Sequence, residues 1–233
     1  MKLEVLSGGA AQGLMQALAG PFKVDTGCEI SGTFGAVGAM RDKLLGGARA
    51  DLLILTSALI AELIQSGYVA PGSAADIGIV RTAIAVRAGD PVPAIKDGEA
   101  LRAALLAADE VHFGDPKRAT ASIHFAKVID ALGVGADLAP RLQTHPNGMT
   151  AMHALARSAG RRPIGCTQVT EILATPGVTP AGPLPAPFEL ATLYTAGVAT
   201  RATRPQEARR LAALLTSDDS RAARDRAGFE PLR

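Results

Sequence analysis

The chain has 233 residues, 48% hydrophobic and 20% charged, with a formal net charge of +2. That length supports one large domain or two smaller lobes with a real core, and the composition excludes a disordered chain. A charge so near zero, with 3% aromatics and no Trp, excludes the basic footprint and the stacking platforms of nucleic-acid binding, and any membrane-surface patch.

"KLEVLSG" opens the chain as a short apolar strand that ends at Ser7-Gly8-Gly9-Ala10, with the amphipathic helix "GLMQALAGPF" behind it. "CEISGTFG" reads as a second strand ending at Thr33 before Gly35, "VGAMRDKLLGG" as a helix with a Gly-rich stop, and "ADLLILT" as a buried third strand. Strand, glycine turn and helix thus alternate twice before residue 55, the pattern of a parallel α/β sheet with right-handed crossovers. "ALIAELIQSGYV" adds a helix, and "IGIVRTAIAVRAG" a long strand. Beyond the loop "DPVPAIKDG", a helix "EALRAALLAA" precedes the strand "EVHFGDP", which leads into "TASIHFAKVIDALGV", an amphipathic helix. "GMTAMHALARSAG" reads as a further helix and "RPIGCTQ" as a strand. The Pro- and Gly-rich "TPGVTPAGPLPAPF" reads as an extended connector rather than an element. "ELATLYTAGVAT" is a last strand, and the Arg-rich close alternates Arg with Glu and Asp, as a solvated amphipathic helix does.

Cys28 and Cys166 lie far apart with no metal-ligand spacing, so neither a disulfide framework nor zinc is expected, and Cys166 reads as a small buried thiol. No run reaches transmembrane length. A native start at Met1 implies a cytoplasmic protein; removal of a leader implies a periplasmic one.

Chemistry concentrates where "GDPKRATASIH" opens a helix. A helix N-terminus has unsatisfied N–H groups and a positive dipole end. Lys117, Arg118, Thr120 and Ser122 stand there, which suits a small anion. An ordinary Thr or Ser N-cap beside two solvated cations is the simpler alternative. His145, in the turn "QTHPNGMTAM", and His124, in the first helical turn, are the candidate general bases, because a neutral imidazole titrates near working pH. His112 and His153 read as packing or surface residues. No Ser-His-Asp order, P-loop or full GxGxxG is present, which disfavours hydrolases, NTPases and dinucleotide enzymes.

Five segments in order, "LSGGAAQGLMQALAGPF", "TFGAVGAMRDKLLGGARADLLILT", "FGDPKRATASIHFAKVIDALGV", "IGCTQVTEI" and "RAGFEP", resemble the molybdate-type periplasmic solute-binding proteins over nearly the whole chain. This is the type 2 periplasmic-binding-protein fold, in a family that also includes aconitate-isomerase-like proteins. The resemblance implies a two-lobed α/β fold, each lobe a mixed or parallel sheet flanked by helices, with a ligand cleft between the lobes. It implies lobe 1 at residues 1–79 and 190–233, lobe 2 at 80–189, and hinges near 79–85 and 188–196. The implied partners are a small anionic ligand and, if the protein is exported, an ABC transporter permease; no cofactor, metal, nucleic acid or membrane insertion is expected. The oligomeric state stays open, a monomer being compatible.

The ligand-binding positions expected on this basis are Ser7, Gly8, Gly9, Thr33, Gly35, Arg118, Thr120, Ser122, Gly148, Thr167 and Gln168. Three oxyanion donors of the molybdate binders are missing. The family's first serine falls at Ala10 or Gly9, its second at Ala36 or Val37, and its tyrosine at Gln168. The remaining hydroxyls and cations suit carboxylates at least as well as molybdate. Two functions follow: binding of a small oxyanion or carboxylate, or a cytoplasmic isomerase that shifts a proton on a small di- or tricarboxylate, with His145 or His124 as base.

Overall fold

Alternating apolar strands, glycine-rich strand ends and amphipathic helices build two α/β units in the computed structural model, which describes residues 1–232. One unit comprises residues 1–80 and 192–232, the other residues 81–191.

The first unit contains β1 (Lys2–Gly8), α1 (Gln12–Thr26), β2 (Glu29–Gly35), α2 (Val37–Leu45), β3 (Leu52–Thr56), α3 (Ser57–Gln65) and the first residues of β4 (Ala75–Arg87). β1 is paired in parallel with β2 on one side and β3 on the other, so that Ser7 lies level with Phe34 and Ile54. All five residues of β3 are buried, which explains its unbroken apolar run: a strand covered on both faces needs no polar alternation. β2 continues through Gly35, level with Gly8, so the expected strand end at Thr33 is corrected by two residues. Thr33 lies within the strand and is exposed.

The second unit runs from the latter half of β4 through α4 (Gly98–Ala107), β5 (Glu110–Phe113), α5 (Thr120–Ala131), α6 (Gly135–Leu138), β6 (Leu142–Thr144), α7 (Gly148–Ala156), β7 (Pro163–Gln168), α8 (Val169–Leu173) and β8 (Val178–Pro183). β5 pairs in parallel with β6 and β7, while β4 lies antiparallel between β7 and β8. Alternate residues of β4 serve two cores. Ile84 and Val86 pack with Leu101, Leu105, Val111, Phe113, Phe125 and Cys166. Ala83 and Ala85 pack with Ala151, Met152 and Leu155 of α7 and Ile172 of α8. β8 overturns the expected connector. Its Pro180 lies opposite Ala85, where the register shifts, and proline is tolerated at such irregular or edge positions because no ladder donor is needed there.

The chain then forms β9 (Ala191–Val198), α9 (Pro205–Thr216) and α10 (Arg221–Ala227). β9 pairs antiparallel with β3, and α1 packs against α9 and α10. Among the described residues no helix is long and apolar enough to cross a membrane.

One carboxylate ties the first unit together. Asp51, buried just before β3, accepts Glu4 N–H of β1 on Oδ2 at 2.9 Å. Its Oδ1 accepts the backbone N–H groups of Thr203 and Arg204 at 2.7 and 3.0 Å, and the Thr203 hydroxyl at 3.1 Å. Arg204 precedes α9 and provides no side-chain cap of its own, so Asp51 supplies from a distance the acceptor that helix start needs. Asp51→Ala removes the acceptor that these partly buried donors share, at about 1–3 kcal/mol for each group that water cannot reach. A loss of about 3 kcal/mol or more in urea unfolding is expected, with secondary structure retained at low denaturant.

Candidate functional site

In the first unit, β1 and β2 end together at Gly8 and Gly35, where the turn into α1 and the start of α2 follow. Gly8 is required by close approach: a Cβ there would stand 2.8 Å from Val37 Cγ1 and 3.1 Å from Tyr194 Cε1. Gly9 begins the short turn into α1 and is buried. The Ser7 hydroxyl is fully buried and donates to the Gly8 carbonyl at 2.8 Å, so it braces its own strand end. Ala36 occupies the N-cap of α2 and offers no side-chain acceptor. By contrast, Thr56 caps α3 with its hydroxyl, which accepts Leu59 N–H.

In the second unit the parallel strands β5, β6 and β7 lead into α5, α7 and α8. Gly114 ends β5 in a narrow space. A Cβ on it would lie 2.8 Å from Ser122 Oγ and 3.0 Å from both the Asn147 carbonyl carbon and the Gly148 nitrogen. The α5 and α7 starts therefore meet at Gly114. Ser122 has no exposed surface, and its hydroxyl has no hydrogen-bond partner. A buried unpaired hydroxyl costs about 1–3 kcal/mol, and the Thr82 and Thr170 hydroxyls are buried without a partner as well.

The N-cap of α5 is Ala119, without a side-chain cap, so the expected alternative of a Thr or Ser N-cap is corrected. Thr120 is the first helical residue and half-buried; Lys117 and Arg118 are exposed. Asp115 shapes their turn by accepting Lys117 N–H at 2.7 Å.

Beneath Gly148, Thr167 Oγ1 donates to Glu171 Oε2, and a Cβ on Gly148 would overlap both side chains. The Thr167 hydroxyl is thus committed to Glu171. Burial pushes the Glu171 carboxyl above the usual range, against the Thr167 hydrogen bond and those of the Met149 and Gln168 backbones. Gln168 is buried at the N-cap of α8. Ser122, Gly148, Thr167 and Gln168 gather at this end of the sheet.

The two candidate histidines differ. His124 places Nε2 2.8 Å from the Phe188 carbonyl, so its N–H is spent on a loop tether while Nδ1 keeps its lone pair. His145 donates its backbone N–H to Phe113 O at 3.0 Å, beside Gly114. Its Nε2 lies 3.1 Å from Nδ1 of His112. Burial, then the His112 charge, hold the His145 imidazole below its usual pKa. His112, expected to be a packing or surface residue, is buried and partnered on both ring nitrogens, with Glu110 Oε2 2.9 Å from its Nε2. The signal for this pair was the Glu-x-His spacing, which puts both residues on one face of a strand. Glu171 carried no such signal, since Thr167 lies at the end of a strand and Glu171 in the following helix, and only the fold brings them together. Cys166 is fully buried, which pushes its thiol well above the usual range, and an inert core thiol results.

Two α/β units whose parallel strands end at helix N-termini define the class of the periplasmic binding proteins. The chain belongs to the bacterial extracellular solute-binding protein family, whose model matches residues 3–230. It is similar in structure to the periplasmic molybdate-binding protein of Azotobacter vinelandii, with a TM-score of 0.81 at 18% identity over 99% of this chain and 100% of that one. It is also similar to the sulfate-binding protein of Mycobacterium tuberculosis, with a TM-score of 0.78 at 17% identity over 100% of this chain and 87% of that one. In sequence it is 26% identical over 244 residues to an aconitate isomerase of a Pseudomonas species, covering 99% of this chain and 88% of that protein.

Glu171 gives the site a measurable pH signature. Its folded-state pKa is raised, so between the unfolded and folded values the native state binds more protons than the unfolded state. Its contribution to stability is complete below the ordinary value of 4.5 and is lost as pH rises through the folded value. Glu171→Gln is expected to remove that decline, so the mutant's urea midpoint gains on the wild type as pH rises from about 4.5 toward neutrality. A parallel pair of midpoint–pH curves refutes the assignment.

Proposed function

We propose that the protein binds a small carboxylate anion at the ends of β5, β6 and β7. One observation carries this reading: the buried, unpartnered Ser122 hydroxyl stands where α5 begins without a side-chain cap. An anion there receives the hydroxyl and uncapped helix N–H groups, and the helix dipole favours it. Thr120 and Arg118 flank the same helix start, and Gly148 and Gln168 begin α7 and end β7. In the first unit, the uncapped start of α2 beyond Gly35 offers similar N–H groups.

A carboxylate is favoured over a tetrahedral oxyanion by the inventory of donors. A dianion such as molybdate needs many converging donors to replace its hydration. Here the Ser7 and Thr167 hydroxyls are already committed within the protein. The family's role in solute capture supports an ABC transporter permease as partner and an extracytoplasmic location.

A second reading, isomerisation of a small unsaturated tricarboxylate, has its own support. The aconitate isomerase relative extends over almost the whole chain, and His145 stands beside Gly114 with a second histidine behind it. Such a reaction needs a carboxylate clamp and one base of suitable pKa.

Calorimetric titration with cis-aconitate, trans-aconitate, citrate, molybdate and sulfate tests the main reading. At least one carboxylate is expected to bind more tightly than either oxyanion; a preference for molybdate or sulfate over all three refutes it. Proton NMR of the same mixtures then separates a receptor, which returns its ligand unchanged, from an isomerase. Ser122→Ala is expected to leave the ligand-free protein as stable as the wild type or slightly more so. Its carboxylate affinity should fall about tenfold or more, since a hydrogen bond to a charged group contributes about 1.5–3 kcal/mol. Undiminished affinity removes Ser122 from the site.

A further inference from the structure

Glu110 and His112 alternate along β5 and so project from the same face of the sheet. Ser158, just beyond α7, donates its hydroxyl to Glu110 Oε2 at 2.5 Å. His112 Nε2 lies 2.9 Å from that same oxygen, and His112 Nδ1 lies 3.1 Å from His145 Nε2. The two imidazole rings are inclined by only 19°. Ser158, Glu110, His112 and His145 thus form one unbroken hydrogen-bonded chain.

With Glu110 ionised and both imidazoles neutral, one proton arrangement satisfies every link. A carboxylate only accepts, so His112 Nε2 carries the hydrogen facing Glu110. A neutral imidazole has one N–H, so His112 Nδ1 is the acceptor, and His145 Nε2 must carry the next hydrogen. His145 Nδ1 is then a bare lone pair. The Ser158 and His112 hydrogen bonds hold the Glu110 carboxyl below its usual range, consistent with an ionised anchor. The charges that act on the relay include His112 on His145 and His112 and Asp109 on Glu110, and Arg87 of β4, itself paired with Asp90, donates to the Ser158 carbonyl at 2.5 Å. Of the packed elements, α7 offers only His153 as a further ionisable group, β6 none, and β7 only Cys166, which lies in the core on the other face.

We propose that His145 is the acid–base residue of the second unit's site, and that His112 and Glu110 are positioning residues that fix its tautomer and steady the charge it acquires. The inference rests on the isomerase reading for its substrate, an unsaturated polycarboxylate. His145 Nδ1 takes the proton of the carbon next to the C=C bond. That C–H bond breaks, its electron pair spreads through the adjoining double bond and carboxylate, and an N–H bond forms. The same nitrogen returns the proton to the far carbon of the three-carbon unit, the double bond moves by one position, and His145 is neutral again. No other reactant is needed. While His145 is protonated, each proton stays on its own nitrogen and the Glu110 carboxylate, acting through His112, steadies the imidazolium, as a carboxylate does in other acid–base sites.

The test combines ring-¹⁵N NMR of the full chain with deuterium uptake from D₂O into cis- and trans-aconitate. His145 is expected in the Nε2-protonated tautomer near neutral pH. Glu110→Gln removes the anionic anchor. His145 should then titrate at lower pH, the acid limb of the exchange-rate profile should move the same way, and the rate should fall about tenfold or more. His145→Gln should abolish exchange while aconitate still binds and the urea midpoint stays near the wild-type value. An Nδ1-protonated His145, or a titration unmoved by Glu110→Gln, overturns the relay whether or not turnover occurs. Exchange surviving in a folded His145→Gln protein overturns the base assignment while leaving the isomerase reading intact. A wild-type protein that binds aconitate without exchanging it overturns the isomerase reading and the base assignment together, and the tautomer measurement still decides the relay.

Discussion

The constraint on which the rest depends is the unsatisfied backbone at helix starts. Each helix begins with N–H groups that have no acceptor within the helix, and in this chain several follow directly on parallel strands. The protein answers some of these internally: Thr56 caps α3, Asp97 caps α4, Asn147 caps α7, and Asp51 serves α9 from across the unit. At α2 and α5 the cap position is alanine, which accepts nothing. Side-chain capping is thus settled residue by residue, and at α2 and α5 the first N–H groups have no side-chain acceptor.

The same division explains why glycines gather at strand ends. Gly114 brings the backbone of α7's cap within reach of Ser122, and Gly148 leaves room for the Thr167–Glu171 pair below it. Any Cβ at these two positions would fill the space in which the polar groups meet. Glu171 lies in that space as a buried carboxyl next to a helix N-terminus, so the protein's own acid competes for part of the field that an anion would use.

Much of this was legible in the residues. Apolar strands, glycine ends and helical periodicity give the α/β order, and the anion-suited character of the "KRATASIH" segment follows from where a helix must start. The edge strand β8 was not legible, because prolines suppress strand signals that only a neighbouring β4 can restore. Thr33 was placed at a strand end because the glycine at 35 looks like a terminator, whereas parallel pairing with β1 carries the strand through it.

By itself the sequence determined the fold class and the supply of hydroxyls and histidines, because these depend on spacings of a few residues along the chain; that Ala36 and Ala119, and no Ser or Thr, stand at the caps of α2 and α5 was set by where the helices begin in the fold. Only the tertiary structure decided which of those groups were already taken. Ser7 and Thr167 turn inward to acceptors, His124 is tethered to Phe188, and Ser122 is left buried without a partner. It likewise joined His145 to His112 across 33 positions of sequence. The reason is physical: a hydrogen bond a few ångströms long is set by how strands and helices pack, and local periodicity says which face a side chain occupies but not what it meets there.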